Sequence, residues 1–321
     1  MATEQYEVVV VGGGASGLTA GMFAARRGYK TIVISQDVGG QAATTPDIEN
    51  YPGIEFIDGL DLMKKFKTQG EKYGMQFRFD TVTALEPQPD GTYIIKGATG
   101  EVATQVVILA FGLSHRHLNV PGEEKLNGKG LLYCSICEPH FYQDRKVIVV
   151  GGGSSAVQAA TTLSHLAKDV TVINMGEHLT AEAITVQRMT QRPNIHVVVN
   201  AQTQEVLGDD HVTALSILHT DTKQVEDIPA EVIFVEIGYM AKAGWVKDIL
   251  ETDPRGQIKI GPNCETSRPG VFAAGDVTTI TFKQVVISAG EGAKAALEAD
   301  QYLLAKSGKR GGRIDWGVKK T

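Results

Sequence analysis

Apolar residues in this chain come in short blocks separated by glycine, and the spacing within the blocks alternates between two kinds. Residues 7–11 end in four valines, a length and β-branched composition that predict a buried strand. After a glycine run, residues 16–27 are alanine-rich with helical amphipathic spacing, and residues 31–35 are again a short apolar strand. The same order then recurs: a strand over 146–150, a glycine run, a helix near 155–166 and a strand over 170–173. Between the two units, residues 92–96 and 101–110 read as strands after a turn at Pro89-Asp90-Gly91. Beyond the second unit, 196–199, 212–219 and 231–237 are strand-like, and 270–276 leads towards a helix over 284–304. From Lys306 the tail is glycine-rich and basic, with Lys306, Lys309, Arg310, Arg313, Lys319 and Lys320 against Asp315 alone.

The glycine runs give the repeated unit a chemistry. They read Gly12-Gly13-Gly14-Ala15-Ser16-Gly17 and Gly151-Gly152-Gly153-Ser154-Ser155-Ala156, each between a strand and a helix. Glycine lets the turn tighten and the backbone approach a ligand, while the helix start offers free N–H groups and a positive dipole end to phosphate. One such motif is weak evidence. Two in the correct setting predict an α/β chain with two Rossmann-like three-layer dinucleotide-binding domains. A net charge of −6 argues against nucleic acid as a partner. Glu4 and Glu7 precede the first apolar run, unlike a secretory leader, and runs such as 106–113 are too short to span a bilayer. The expectation is a soluble cytoplasmic protein.

Three cysteines change the picture again. Cys134-Ser135-Ile136-Cys137 has the spacing of a small-ring disulfide, and in a large chain with few cysteines such a pair reads as catalytic or metal-binding. Zinc is disfavoured: there is no second Cys-x-x-Cys, and His165 lies beyond the second glycine run, so no metal site is expected. A thiol near a helix start has a lowered pKa and can attack a disulfide. His140 lies close by, more simply an exposed or capping histidine than a proton shuttle. Cys264, in Gly261-Pro262-Asn263-Cys264-Glu265, reads as an ordinary loop thiol.

With these residues in view, the chain resembles the low-molecular-weight thioredoxin reductase family over nearly its whole length. Val38-Gly39-Gly40-Gln41 continuing to Ile48-Glu49-Asn50-Tyr51-Pro52-Gly53 is similar to that family's flavin-contacting loop. Cys134 to Cys137, followed by Phe141-Tyr142, is similar to its redox segment, and Ala274-Gly275-Asp276 with Lys283-Gln284-Val285-Val286 to its C-terminal FAD signature. The resemblance implies a homodimer whose FAD domain is split around an inserted second nucleotide domain. Its boundaries would be 1–114 and 245–304 for the FAD domain, 115–244 for the insert and 305–321 for the tail. It also implies that Gly12, Gly14, Ala15, Ser16 and Gly17 hold the FAD pyrophosphate, with Gly40, Gln41, Asn50 and Gly112 around the flavin. Gly275, Asp276, Lys283, Gln284 and Val285 would complete that site, Asp276 accepting a hydrogen bond from the ribityl chain. The plainer reading of Asp276 is a helix cap. Gln36 or Asp37 stands where an acid usually holds the adenosine ribose. Glu138 occupies the position of the family's acid/base aspartate, and by analogy Cys137 faces the flavin while Cys134 meets the partner.

The second unit departs from that pattern. Gly151, Gly153, Ser154, Ser155 and Ala156 keep a phosphate loop, and Ile237, Gly238 and Tyr239 stand where the family closes its nicotinamide site, without the usual proline. The family places arginines after the second strand for the 2′-phosphate of NADPH; residues 172–179 here hold none, and Glu177 would repel phosphate. An NADH site wants an acid at the strand end, where Asn174 stands. This combination resembles the diflavin-linked disulfide oxidoreductases, which implies two FAD per chain, with Tyr239, Trp245 or Trp316 as stacking candidates. The expectation is an FAD-dependent dithiol/disulfide oxidoreductase acting with a redox protein or a small dithiol or disulfide. Three alternatives stay open: a thioredoxin reductase using NAD(P)H, a ferredoxin-reduced enzyme, and a flavin-binding redox sensor. The tail reads as a solvated run, with docking to an acidic protein or membrane surface as the other reading.

Overall fold

β1 (Glu4–Val11) forms the middle of the first sheet because its valines leave no side for solvent. Val8 and Val10 point into one core and Val9 and Val11 into another, the period-two alternation of a strand buried on both faces. The computed structural model describes residues 3–45, 48–133 and 142–309. Cys134, Cys137, Glu138, His140 and Trp316, and the tail beyond Lys309, lie outside the described residues. Two units emerge, one of residues Met1–Leu113 and Ala241–Thr321, the other of Ser114–Met240.

In the first unit β1 leads into α1 (Ala15–Arg26) and β2 (Thr31–Ser35). α2 (Gly59–Glu71) starts at Asp58, whose carboxylate accepts the Asp61 N–H, and buries Leu62 and Met63. Strands β3 (Gln76–Phe79), β4 (Val82–Pro87), β5 (Tyr93–Gly97) and β6 (Glu101–Leu109) complete the first stretch. The sheet order is β3-β2-β1-β6-β5-β4, parallel as far as β6 and antiparallel beyond it.

The second unit opens with β7 (Ser114–His115) and α3 (Glu123–Leu126), followed by β8 (Leu131–Leu132), β9 (Lys146–Val150), α4 (Ser154–Leu163) and β10 (Asp169–Ile173). α5 (Ala183–Thr190) and β11 (Ile195–Val198) precede three antiparallel strands, β12 (Ala201–Gly208), β13 (Val212–His219) and β14 (Val225–Pro229). β15 (Val232–Val235) closes a parallel sheet of order β11-β10-β9-β15-β8, and β16 (Tyr239–Met240) pairs antiparallel with β7. Val147 and Val149 face the helices, while Ile148 and Val150 face Leu215 and Ile217 of the three-stranded layer.

The chain then returns to the first unit, where Ala241, Ala243, Val246 and Leu250 cover the second face of the first sheet. β17 (Val271–Ala273) adds to the rear half of β6, and α6 (Val285–Lys306) packs along α1 through small residues, Ala295, Ala296 and Ala299. Each unit is thus an α/β three-layer fold. Among the described residues no helix is long and apolar enough to cross a membrane.

Some expectations need correcting. α4 stops at Leu163 instead of 166, where the Ser164 hydroxyl turns back to the Thr161 carbonyl. Gln284 is the residue before α6 and not its first turn. Cys264 is no ordinary loop thiol: it is 0% exposed, adopts φ 65° and donates its Sγ–H to Glu291 Oε2 at 3.0 Å. Its turn folds against α6, and Ala273 N–H binds the Cys264 carbonyl. Burial, with the Glu291 carboxylate beside it, pushes this thiol far above the usual range, so it is inert as a nucleophile.

Candidate functional site

The parallel strands β1, β6 and β17 end level with one another, Val11 beside Leu109 and Leu109 beside Ala273. Their following residues therefore meet at one edge, where ligands of open α/β sheets bind. Gly12 donates its N–H to Ile34 O at 2.8 Å and takes φ 114°. A Cβ there would lie 2.3 Å from the Ala110 carbonyl oxygen, so no other residue fits. A Cβ at Gly17 would lie 1.9 Å from Gly12 O, which is how α1 comes so close to the loop. Gly14 precedes α1 with no side-chain cap, and no acid sits in the first turn, so Ala15, Ser16 and Gly17 begin a helix whose positive end is uncompensated.

Gly275 and Asp276 follow β17 on the same edge, and a Cβ on Gly275 would come within 2.5 Å of Ser16 Oγ. Asp276 is not the cap of α6; its Oδ1 accepts the Ser288 hydroxyl at 3.0 Å. Burial raises its carboxyl above the usual range, against the Ser288 bond and the Lys283 charge. Lys283 Nζ donates to the carbonyls of Asp276 and Thr278, and burial lowers its ammonium. Asn50 Nδ2 donates to Gln284 Oε1 at 3.0 Å, tying the loop after residue 48 to the start of α6, beside which Val285 packs on the core. Gln41 Nε2 reaches Leu113 O at 2.8 Å, close to Gly112 at φ 65°. Asp37 accepts the Gly40 N–H, and Gln36 donates to Thr81, so both have partners within the loop region.

The second cradle repeats this logic. Gly151 N–H binds Ile173 O at 2.9 Å, φ is 144°, and a Cβ would sit 2.2 Å from Glu236 O. Gly153 precedes α4 without a side-chain cap, leaving Ser154 and Ser155 exposed at the helix start, with Ala156 fully buried behind them. Thr180 N–H closes onto Gly152 O at 2.7 Å. Asn174 is 8% exposed, and its Nδ2 donates to both Gly176 O at 2.8 Å and His178 O at 3.0 Å. Its Oδ1 lies 2.0 Å from where a Gly152 Cβ would be. The carboxamide thus holds the loop together, a correction to its expected place as a ribose contact. Ile237 packs on the core, Gly238 takes φ 89° and its carbonyl accepts the Arg116 N–H. Tyr239 stacks at 4.6 Å on His115, and Trp245 tilts against Phe111 at 5.3 Å within the first unit.

Ser288 was missed by sequence reading; one turn into α6 in a run of small residues, it carried no signal of its own. Glu123 was missed too, a buried acid hidden in an otherwise exposed charged run. Among the described residues no group of three or more His, Cys, Asp or Glu is placed to hold a metal.

Comparison with known proteins places this geometry. The signature described as pyridine nucleotide-disulphide oxidoreductase matches residues 6–296. The chain is 38% identical over 314 residues to one subunit of the alkyl hydroperoxide reductase of Pseudomonas putida, covering 95% of this chain and 60% of that protein. It thus spans about 60% of the length of the curated relatives it matches. Thioredoxin reductase of Lactococcus lactis, in its FR conformation, is 33% identical with a TM-score of 0.84, covering 94% of this chain and 99% of that one. The T. acidophilum thioredoxin reductase gives 33% and 0.81 over the same shares.

Proposed function

Because the chain belongs to the pyridine nucleotide-disulphide oxidoreductase family, we propose that it is an FAD-dependent dithiol/disulfide oxidoreductase in which Cys134 and Cys137 form and break a disulfide. FAD is expected for the family, and the first cradle fits it: the space a Cβ would fill at Gly12 and Gly275 is closed to side chains and open to a close ligand. When bound, FAD supplies reversible two-electron acceptance. The start of α1 binds the pyrophosphate through its free N–H groups, while Asp276, fixed by Ser288, orients the ribityl hydroxyls. Joining the two sulfurs releases two electrons to the flavin and two protons, one of which Glu138 accepts at the attacking thiol. The electron partner is a redox protein or a small dithiol or disulfide, and the enzyme works as a homodimer. Exposed Phe56 and Phe282, near the Asn50–Gln284 bond, give a second copy an apolar surface to cover.

The second cradle, in this reading, takes a second FAD in place of NADPH. The observation that carries it is Asn174: its amide is spent on two carbonyls, and the residues from 174 to 180 bring no cation for a 2′-phosphate and Glu177 against one. Anaerobic mixing tests this. Flavin absorbance should persist with NADPH and with NADH and bleach with a dithiol; rapid bleaching by either nicotinamide would overturn it.

A further inference from the structure

Glu123 is 7% exposed, and a carboxylate so covered is costly unless donors surround it. Three do. Leu118 N–H donates to Oε1 at 2.7 Å, Asn119 N–H donates to Oε2 at 2.6 Å, and the Tyr133 hydroxyl donates to Oε1. Burial alone would raise the Glu123 carboxyl; the phenol and the two N–H groups outweigh it and hold the group below the usual carboxylate range. The acid pins a tight reversal in which Asn119 sits at φ 56°, a conformation non-glycine residues seldom adopt.

The same acid holds Tyr133 from the other side. His117 Nδ1 lies 3.0 Å from the Tyr133 hydroxyl, its ring meets the phenol edge-on at 5.1 Å, and His115 packs at 5.7 Å. Tyr133 directly precedes Cys134. Adjacent Cα atoms are about 3.8 Å apart, so whatever fixes Tyr133 fixes where the redox segment begins. The anchor serves no packing need that phenylalanine would not meet equally well; what the hydroxyl adds is a directed bond to a buried charge.

We propose that Glu123, acting through Tyr133, is a positioning residue for the Cys134–Cys137 pair, an inference that rests on the reading of that pair as a redox couple. The test uses the full chain with its flavin and two variants, Tyr133→Phe and Glu123→Gln. Two quantities are measured: the anaerobic rate of flavin bleaching by dithiothreitol, and the pH dependence of iodoacetamide alkylation of the reduced enzyme. Cys264 is buried and stays silent, so alkylation reports the pair. Misplacement by an ångström costs on the order of 100-fold, so Y133F should slow maximal bleaching by at least about tenfold with an unchanged KM for dithiothreitol. Its alkylation midpoint should rise towards the free-thiol value of about 8.5. E123Q, which keeps an acceptor but loses the charge, should fall between Y133F and wild type. Circular dichroism and flavin content control for folding. A folded Y133F with wild-type bleaching and midpoint overturns the proposal; if Y133F does not fold, the same result in E123Q does. Wild-type bleaching in Cys134→Ser would instead sink the reading of the pair itself, a separate outcome.

Discussion

The two glycine cradles share a backbone and differ in what covers them. In each, the first glycine N–H binds the end of the second strand, at Ile34 and Ile173, and the third glycine opens the helix. In each, the loop after the second strand returns to the middle glycine, Gly39 N–H to Gly13 O and Thr180 N–H to Gly152 O. Then they diverge. Behind the first, Gly17 lets α1 press on the loop, Ser16 is buried, and α6 approaches so closely that a Cβ on Gly292 would be 2.1 Å from Ser16 O. Behind the second, Ala156 stands where Gly17 does, and Ser154 and Ser155 face outward. The lesson is that the phosphate loop alone says only that a dinucleotide binds. Which one is decided by the residues that close the loop, Asp276 and Ser288 in the first unit and Asn174 in the second.

Breaking each loop at its tightest glycine separates the sites most sharply. Gly12→Val should abolish FAD retention in the first unit, since its Cβ meets the backbone of Ala110 and overpacking of this kind costs about 1–3 kcal/mol before the strained φ is counted. Gly151→Val should leave that flavin in place and empty only the second cradle. Absorbance of the purified variants checks both, and loss of all flavin from Gly151→Val would show that the cradles are not independent. Exchanging the residues that differ gives a smaller, asymmetric effect. Gly17→Ala should lose most first-site FAD because its Cβ would sit 1.9 Å from Gly12 O. Ala156→Gly should cost only the helix penalty of about 0.5–1 kcal/mol, read as a shift of a few degrees in Tm, and equal effects would dissolve the distinction.

Much of the fold was legible because buried parallel strands are written as valine and isoleucine runs, and the glycines between them admit few other readings. β1, β2, β9 and β10 fall where their patterns predict, to within a few residues. α2 was not legible: two glycines and a polar stretch over 59–71 give little periodicity, and only packing of Leu62 and Met63 makes it a helix. β14 was missed for the same reason, since most of Val225–Pro229 is exposed and its place comes from pairing with β13. Within the candidate site, the glycines and Asp276 announced themselves by motif. The local sequence is silent on the partners of Asn174, Cys264 and Glu123, because these bonds run to backbone groups or to side chains brought near by folding. The cysteine pair was plain in the sequence.

Counting flavin released from denatured, purified protein tests the central claim most directly. One FAD for each cradle, two equivalents per chain, is the predicted result. A single equivalent, together with rapid oxidation of NADPH or NADH by the native enzyme, would contradict it.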